Sequence, residues 1–331
     1  MKTVLFALAL LCLPFAAFAA NDKHSVVSGG VRRDFYVHVP ENLKGKEDLP
    51  VVLVLHGGGG SAENARRQTG MDEVADKSGF IAVYPEGTSA PLIDKMRTWN
   101  TGPCCGYAAR KKINGVAFIS GVIDELIKLY KIDTNRVYAT GHSNGAMMSY
   151  RLACELSQRI AAIAPNAGQR LMDECKPERP VPVLHIHGTK DPCAPFEGGE
   201  QCGGCYSKML GGWLKPKNDT WPCRPVREVV REQAVLNGCE ATTDIFLTKG
   251  AVTCERFKCP ANATVALCSI EGAGHMWAGT HDNGPAVCRN DAEKKVCSIY
   301  RETVGPQNTD VDAGELAWDF LRHYSLKGAI E

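Results

Sequence analysis

The sequence has almost no net charge. Its 331 residues carry 38 basic and 37 acidic side chains, a formal balance of +1. A nucleic-acid binder needs a basic excess to neutralise phosphates, so that class is excluded. Beyond residue 20 no run reaches the about 18 apolar residues that a spanning helix needs, so no membrane span is expected. There is no internal repeat and no Ser/Thr/Pro-rich linker, which makes one domain the simpler organisation. Hydrophobic residues make up 44% of the chain, a globular composition that rules out a disordered or fibrous protein.

Cysteine, by contrast, is abundant, at 15 residues. That number points out of the cytosol. The N-terminus agrees. Met1-Lys2 is a short basic start, Val4 to Phe18 is apolar apart from Pro14, and Ala17-Phe18-Ala19 has a small-x-small cleavage pattern. Residues 1–20 read as a secretory signal peptide, and 21–331 as one domain, secreted to the extracellular or periplasmic space. Cleavage removes Cys12 and leaves an even number of cysteines, enough for up to seven disulfides of unreadable pairing. Cys104 and Cys105 are adjacent and are expected to bond to different partners. Cys193, Cys202, Cys205 and Cys223 mark a Cys/Gly/Trp-rich loop at 192–222, expected to be a stapled wall or lid. Cys239, Cys254, Cys259 and Cys268 are expected to staple the strands that follow. Asn218 and Asn262 head N-glycosylation sequons.

The periodicity alternates between strand and helix. Phe35, Val37 and Val39 alternate with polar neighbours, and 50–55 is a continuous apolar run of a strand covered on both faces. One polar helical stretch is expected between Gly60 and Gly79, then a strand at 80–84. Val116, Ile119, Ile123, Leu126 and Tyr130 mark one face of a helix. Strands at 136–140, 160–164, 181–186 and 264–270 alternate with helices at 146–156, 225–237 and 316–324. This order predicts an α/β protein with a mainly parallel sheet and helices on both faces.

Gly141-His142-Ser143-Asn144-Gly145 fits G-x-S-x-G between a predicted strand and helix, the setting of a nucleophile elbow. The alternative is a Gly-Ser turn that caps an ordinary helix. A serine needs a base to take its proton. His275, in a Gly-rich loop just after the 264–270 strand, is the candidate; His281 is a rival, and His323 reads as helix surface. The base needs an acid to orient it. Asp191 follows the 181–186 strand at the carboxyl end of the sheet, with Asp282 as the other candidate. The order Ser…Asp…His is that of α/β-hydrolases. The oxyanion donors are expected to be the amide of Asn144 and one from His56-Gly57-Gly58-Gly59-Gly60, with Gly58 first and Gly57 next. A phosphate loop is excluded there because the Gly-Lys-Ser/Thr ending is missing. Trp99, Trp277 and His142 are the candidate substrate contacts, with Trp213 and Trp221 weighed equally as pocket or packing. Cys202-Gly-Gly-Cys205 lacks the matched ligands of a zinc site, so no metal and no cofactor are expected.

These segments, with Arg97-Thr98-Trp99-Asn100, Cys104-Cys105-Gly106, His187-Gly188-Thr189 and His275-x-Trp277, resemble the secreted polyhydroxybutyrate depolymerase-like esterases. Those are similar to feruloyl esterases of carbohydrate esterase family 1. The resemblance is clearest over about residues 30 to 280. It implies an α/β-hydrolase fold and cofactor-free ester hydrolysis through an acyl-enzyme, with Ser143, Asp191 and His275 as triad. The substrate would be a feruloyl ester of plant cell wall or a hydroxyalkanoate oligomer. Ala278 stands where the family has proline in His-x-Trp-Pro-Gly, and Asn114-Gly115 where an acidic pair is common. Acyl transfer on the same fold and a catalytically inert secreted binding protein are the competing readings.

Overall fold

The computed structural model describes residues 22–91, 96–172, 174–203, 205, 220–281, 284, 288 and 293–330. The expected signal peptide, Trp213, Asn218, Asp282 and residues 204 and 206–219 of the long loop lie outside the described residues.

The strands are β1 (Asp22–Ser28), β2 (Val31–His38), β3 (Val51–Leu55), β4 (Ile81–Pro85), β5 (Val137–His142), β6 (Ile163–Asn166), β7 (Val183–Gly188), β8 (Gly199–Gly203), β9 (Thr220–Cys223), β10 (Thr243–Lys249), β11 (Val252–Phe257) and β12 (Val265–Ile270). Ten of them form one sheet in the order β1-β2-β4-β3-β5-β6-β7-β12-β11-β10. The central strands β4, β3, β5, β6, β7 and β12 are parallel. Antiparallel strands flank them, β1 and β2 on one side and β11 and β10 on the other. Strands β8 and β9 pair with each other in a separate hairpin.

Helices cover both faces. They are α1 (Ala62–Thr69), α2 (Met71–Ser78), α3 (Gly106–Arg110), α4 (Gly115–Tyr130), α5 (Asn144–Glu155), α6 (Val226–Leu236), α7 (Lys295–Val304) and α8 (Ala313–Leu321). Val51, Leu53 and Leu55 pack under α4 and α5, while Val52 and Val54 face α1, α2 and α8. Alternate residues of one strand thus serve two cores, which is why the run is apolar throughout. Each such side chain gains roughly 1.5–3 kcal/mol by leaving water. Val116, Ile119, Ile123 and Leu126 of the expected α4 face are buried and Tyr130 is half-buried, and Asn114 caps the helix by accepting the Ala117 amide at 2.9 Å.

The structure corrects several expectations. The single helical stretch after Gly60 is two helices, broken at Gly70, whose φ is 58°. A Cβ on Gly70 would lie 2.0 Å from the His281 ring, so the break is where the 276–281 segment crosses. The hairpin β10–β11 was not foreseen. β10 is exposed along most of its length and has a bulge at Ile245/Leu247, so it carries no hydrophobic alternation to read.

Cys104 and Cys105 bond to each other rather than to different partners. The long loop is stapled as expected, by Cys193–Cys205 and Cys202–Cys223, so Cys202 and Cys205 are not a redox or zinc pair. Cys254–Cys268 ties directly opposed residues of β11 and β12, and Cys239–Cys259 ties the end of α6 to the end of β11. Cys154–Cys175 and Cys288–Cys297 complete the set. No helix among the described residues is long and apolar enough to cross a membrane.

Candidate active site

Ser143 sits between β5 and α5 with φ 56° and ψ −118°. A side chain other than glycine is held there at a cost of order 1–3 kcal/mol, which the surroundings must supply. They do so by close packing. A Cβ on Gly145 would lie 2.1 Å from the Leu55 carbonyl oxygen, and one on Gly141 would lie 2.6 Å from the same atom. The helix is therefore pulled flush onto the end of β3, and the Ser143 amide is fixed by donating to the Asn166 carbonyl at 2.9 Å. The first amides of α5 have no acceptor within the helix and carry its positive dipole end.

The Gly-rich run lies against this helix start. An ideal Cβ on Gly57 would be 3.5 Å from Ser143 Cβ, and one on Gly58 would be 3.7 Å from Asn144 Cβ. The Gly59 amide donates to the Arg97 carbonyl at 2.8 Å and the Gly60 amide to the Gly57 carbonyl at 3.1 Å. Among the described residues, the Gly57 and Gly58 amides have no such acceptor. His56 locks the run from behind: Nδ1–H donates to the Gly57 carbonyl at 2.8 Å, and Nε2 accepts the Gly87 amide at 2.9 Å. Burial pushes this imidazole down to about 4, so it stays neutral and suits both bonds.

Asp191 and His275 meet beside His142, the residue before Ser143. His275 Nδ1 donates to Asp191 Oδ2 at 2.7 Å, and both residues are buried. Asp191 Oδ1 accepts the amides of Cys193 and Ala194 at 2.8 and 2.7 Å. Burial works against the Asp191 charge, but His275 and His187 outweigh it and hold the carboxyl well below the usual carboxylate range. Asp191, His275 and Cys193 also form the one three-residue cluster of metal-ligand type among the described residues. Cys193 is bonded to Cys205, so it has no thiolate to offer a metal.

The remaining candidates fall differently. His142 is buried with its ring centroid 4.6 Å from that of His275, and Gln68 Nε2 donates to its Nδ1 at 3.3 Å. Burial, with His275 beside it, holds His142 well below the usual histidine value. Trp99 and Trp277 are 1% and 0% exposed, which corrects their reading as pocket walls. Trp277 packs into the core under α1, α2 and α8. Trp99 acts as a brace: its Nε1–H donates to the His56 carbonyl at 3.0 Å, and its own amide and carbonyl are bound by the Asn144 side chain at 2.7 and 3.1 Å. Trp221 is half-buried. The rival base His281 binds Asp312 Oδ2 at 2.8 Å, and His323 is exposed. A cleft of about 690 Å³ lies beside the base loop, lined by Met276, Tyr300, Arg301 and Gln307 among others, but neither Ser143 nor Asp191 lines it.

Sequence reasoning missed several supports. Glu86 pairs with Arg97 at 2.9 Å and accepts the Ala62 amide at 3.2 Å, so it ties Arg97, whose carbonyl accepts the Gly59 amide, to the start of α1. Nothing near Glu86 in the sequence marks it. The buried side chains of Tyr150, His185 and His187 continue from Asp191 into the core. Their signal was available: two histidines two apart in a buried strand share one face.

A family model described as Esterase PHB depolymerase matches residues 35–196. The chain is 30% identical over 312 residues to the putative esterase NocK of Nocardia uniformis subsp. tsuyamanensis, covering 92% of this chain and 83% of that one. It is also 30% identical over 253 residues to feruloyl esterase B of Piromyces equi, and 32% identical over 194 residues to the bifunctional acetylxylan esterase/xylanase XynS20E of Neocallimastix patriciarum. It covers 73% and 59% of itself in those matches but spans only 42% and 25% of those longer proteins. Among solved structures, acetyl xylan esterase from Aspergillus awamori superposes with a TM-score of 0.51 at 15% identity, covering 84% of this chain and 99% of that one, which speaks to fold alone. With a match that spans 92% of this chain and 83% of the putative esterase, the chain belongs to the esterase PHB depolymerase family.

Proposed function

We propose that this protein is a secreted serine carboxylesterase in which residues 21–331 form one catalytic domain. The observation that carries the reading is the buried Asp191–His275 pair together with the strained elbow at Ser143. With Nδ1–H held by Asp191, His275 presents a bare Nε2 to take the Ser143 proton. Ser143 Oγ attacks the ester carbonyl, and the oxyanion is met by the amides of Asn144 and Gly58, with Gly57 as the neighbouring donor. Collapse expels the alcohol, protonated by His275. Water then enters by the same route and frees the acid from the acyl-enzyme. No step needs a cofactor.

The family and the relatives named as feruloyl and acetylxylan esterases support two substrate classes: feruloyl esters of cell-wall carbohydrate and soluble hydroxyalkanoate oligomers. The burial of Trp99 and Trp277 removes the two tryptophans that would have favoured the aromatic acid. The cross-linked cysteines support an oxidising compartment. The test is kcat/KM on methyl ferulate and on a 3-hydroxybutyrate oligomer, with Ser143→Ala as the control. The variant is expected to lose roughly 10⁴ to 10⁶ in kcat, since triad members act as a unit. Retention of near wild-type turnover on both esters sinks the proposal.

A further inference from the structure

We propose that Tyr150, His185 and His187 are positioning residues for this hydrolysis, forming one directed hydrogen-bond chain that ends on the Ala194 carbonyl beside Asp191; the inference rests on the serine-esterase reading above. All three side chains are 0% exposed. Tyr150 O lies 2.9 Å from His185 Nδ1, and His185 Nε2 lies 2.9 Å from His187 Nδ1. The two imidazoles are stacked with centroids 5.2 Å apart and planes 12° apart. His187 Nε2 lies 2.7 Å from the Ala194 carbonyl and 3.4 Å from Asp191 Oδ2.

The polarity follows from one fixed end. A carbonyl only accepts, so His187 Nε2 carries a hydrogen. In a neutral ring, Nδ1 is then bare and accepts from His185 Nε2–H. That leaves His185 Nδ1 bare, and Tyr150 O–H donates to it. Burial holds His185 well below the usual histidine value, consistent with a neutral ring. Every N–H and O–H of the chain therefore points toward the Ala194 carbonyl, and the Ala194 amide in turn donates to Asp191 Oδ1 at 2.7 Å. Aligned bonds polarise one another, and they do so more strongly in a low-dielectric interior.

The arrangement joins the three parts of the site. Tyr150 is on α5, the helix that begins at the nucleophile. His185 and His187 are on β7, the strand that leads to Asp191. Asp191 Oδ2 accepts from His275 and has His187 Nε2 at 3.4 Å, and its Oδ1 accepts the Ala194 amide, so the residue that ends the chain also holds the carboxylate. The chain thus sets the distance between the serine helix and the carboxylate that aims the base.

The experiment measures kcat and KM on 4-nitrophenyl acetate for Tyr150→Phe, His187→Phe and His187→Gln, with Ser143→Ala as control and circular dichroism to check folding. Misplacing a base by a fraction of an ångström acts on kcat, so His187→Phe is expected to lose about 100-fold in kcat with KM little changed. Tyr150→Phe, which removes only the first donor, is expected to lose about 3- to 10-fold. Glutamine places an N–H where His187 Nε2 stands, so His187→Gln is expected to recover most of the loss. A fluorophosphonate is expected to label His187→Phe slowly and Ser143→Ala not at all. If folded His187→Phe and Tyr150→Phe both keep kcat within twofold of wild type while Ser143→Ala is dead, the positioning chain is wrong and the esterase reading stands. If Ser143→Ala is active, the esterase reading fails and this inference with it. Should His187→Phe not fold, Tyr150→Phe decides alone, and an unchanged kcat overturns the chain.

Discussion

Two backbone amides decide what an asparagine at 191 must do. Cys193 and Ala194 both donate to Oδ1, so the amide oxygen of an asparagine has to occupy that side. Its NH₂ then faces His275 Nδ1, where the carboxylate accepted. His275 can satisfy a donor there only by baring Nδ1, which moves its hydrogen to Nε2. The ring then has no lone pair for the serine proton. Asp191→Asn is expected to lose about 10⁴ in kcat while folding normally. Steady-state kinetics checks the loss, and ¹⁵N chemical shifts of His275 check the tautomer. Normal kinetics with an unchanged tautomer overturns the argument. At this scale the sequence was readable for where the candidate residues sit. Ser143, Asp191 and His275 each follow a strand at the sheet's carboxyl edge. Trp99 and Trp277 were misread because composition cannot say whether a ring faces a pocket or a core.

The elbow is where two elements come closest. The Cβ of Ala at 145 would lie 2.1 Å from the Leu55 oxygen and 2.6 Å from its carbonyl carbon, both backbone atoms of a central strand. Neither can yield without parting α5 from β3. Gly145→Ala is therefore expected at or beyond the upper end of the about 1–3 kcal/mol usual for overpacking, seen as a large fall in melting temperature or as insoluble protein. Gly58→Ala is the contrast. Its Cβ would meet only Asn144 Cβ at 3.7 Å, an ordinary contact, so it is expected to fold and melt like wild type. A Gly145→Ala protein with wild-type melting behaviour would contradict the packing. The same scale shows what periodicity can find. Strands β3 to β7 and helix α4 were legible because buried faces repeat in the sequence. β10 was not, because an exposed edge strand is held by its ladder to β11 and leaves no apolar pattern. The α1–α2 break was hidden because its cause, the His281 ring over Gly70, is far away in sequence.

The cross-links divide the molecule unevenly. Cys104–Cys105 joins neighbours and ties nothing distant. The other disulfides all lie between residues 154 and 297, closing loops with sequence separations of 9 to 21. A loop of about 15 residues is worth about 3 kcal/mol in the chain-entropy account, so this half owes much of its order to covalent closure. The strands β3, β4 and β5 owe theirs to burial on both faces. The site straddles the division: Ser143 and the Gly-rich turn belong to the buried half, whereas Asp191 and His275 flank stapled segments, two residues before Cys193 and seven after Cys268. Graded reduction under native conditions is therefore expected to open the protein in order. Hydrogen exchange accelerates first in 193–203 and 243–268, while 51–55 and 137–142 keep their protection. Turnover falls with the first group, because the acid and the base lose their frame before the nucleophile does. Exchange followed by mass spectrometry beside an esterase assay reads both. A single cooperative loss of all protection together with activity would mean that burial, not the staples, holds the second half of the site.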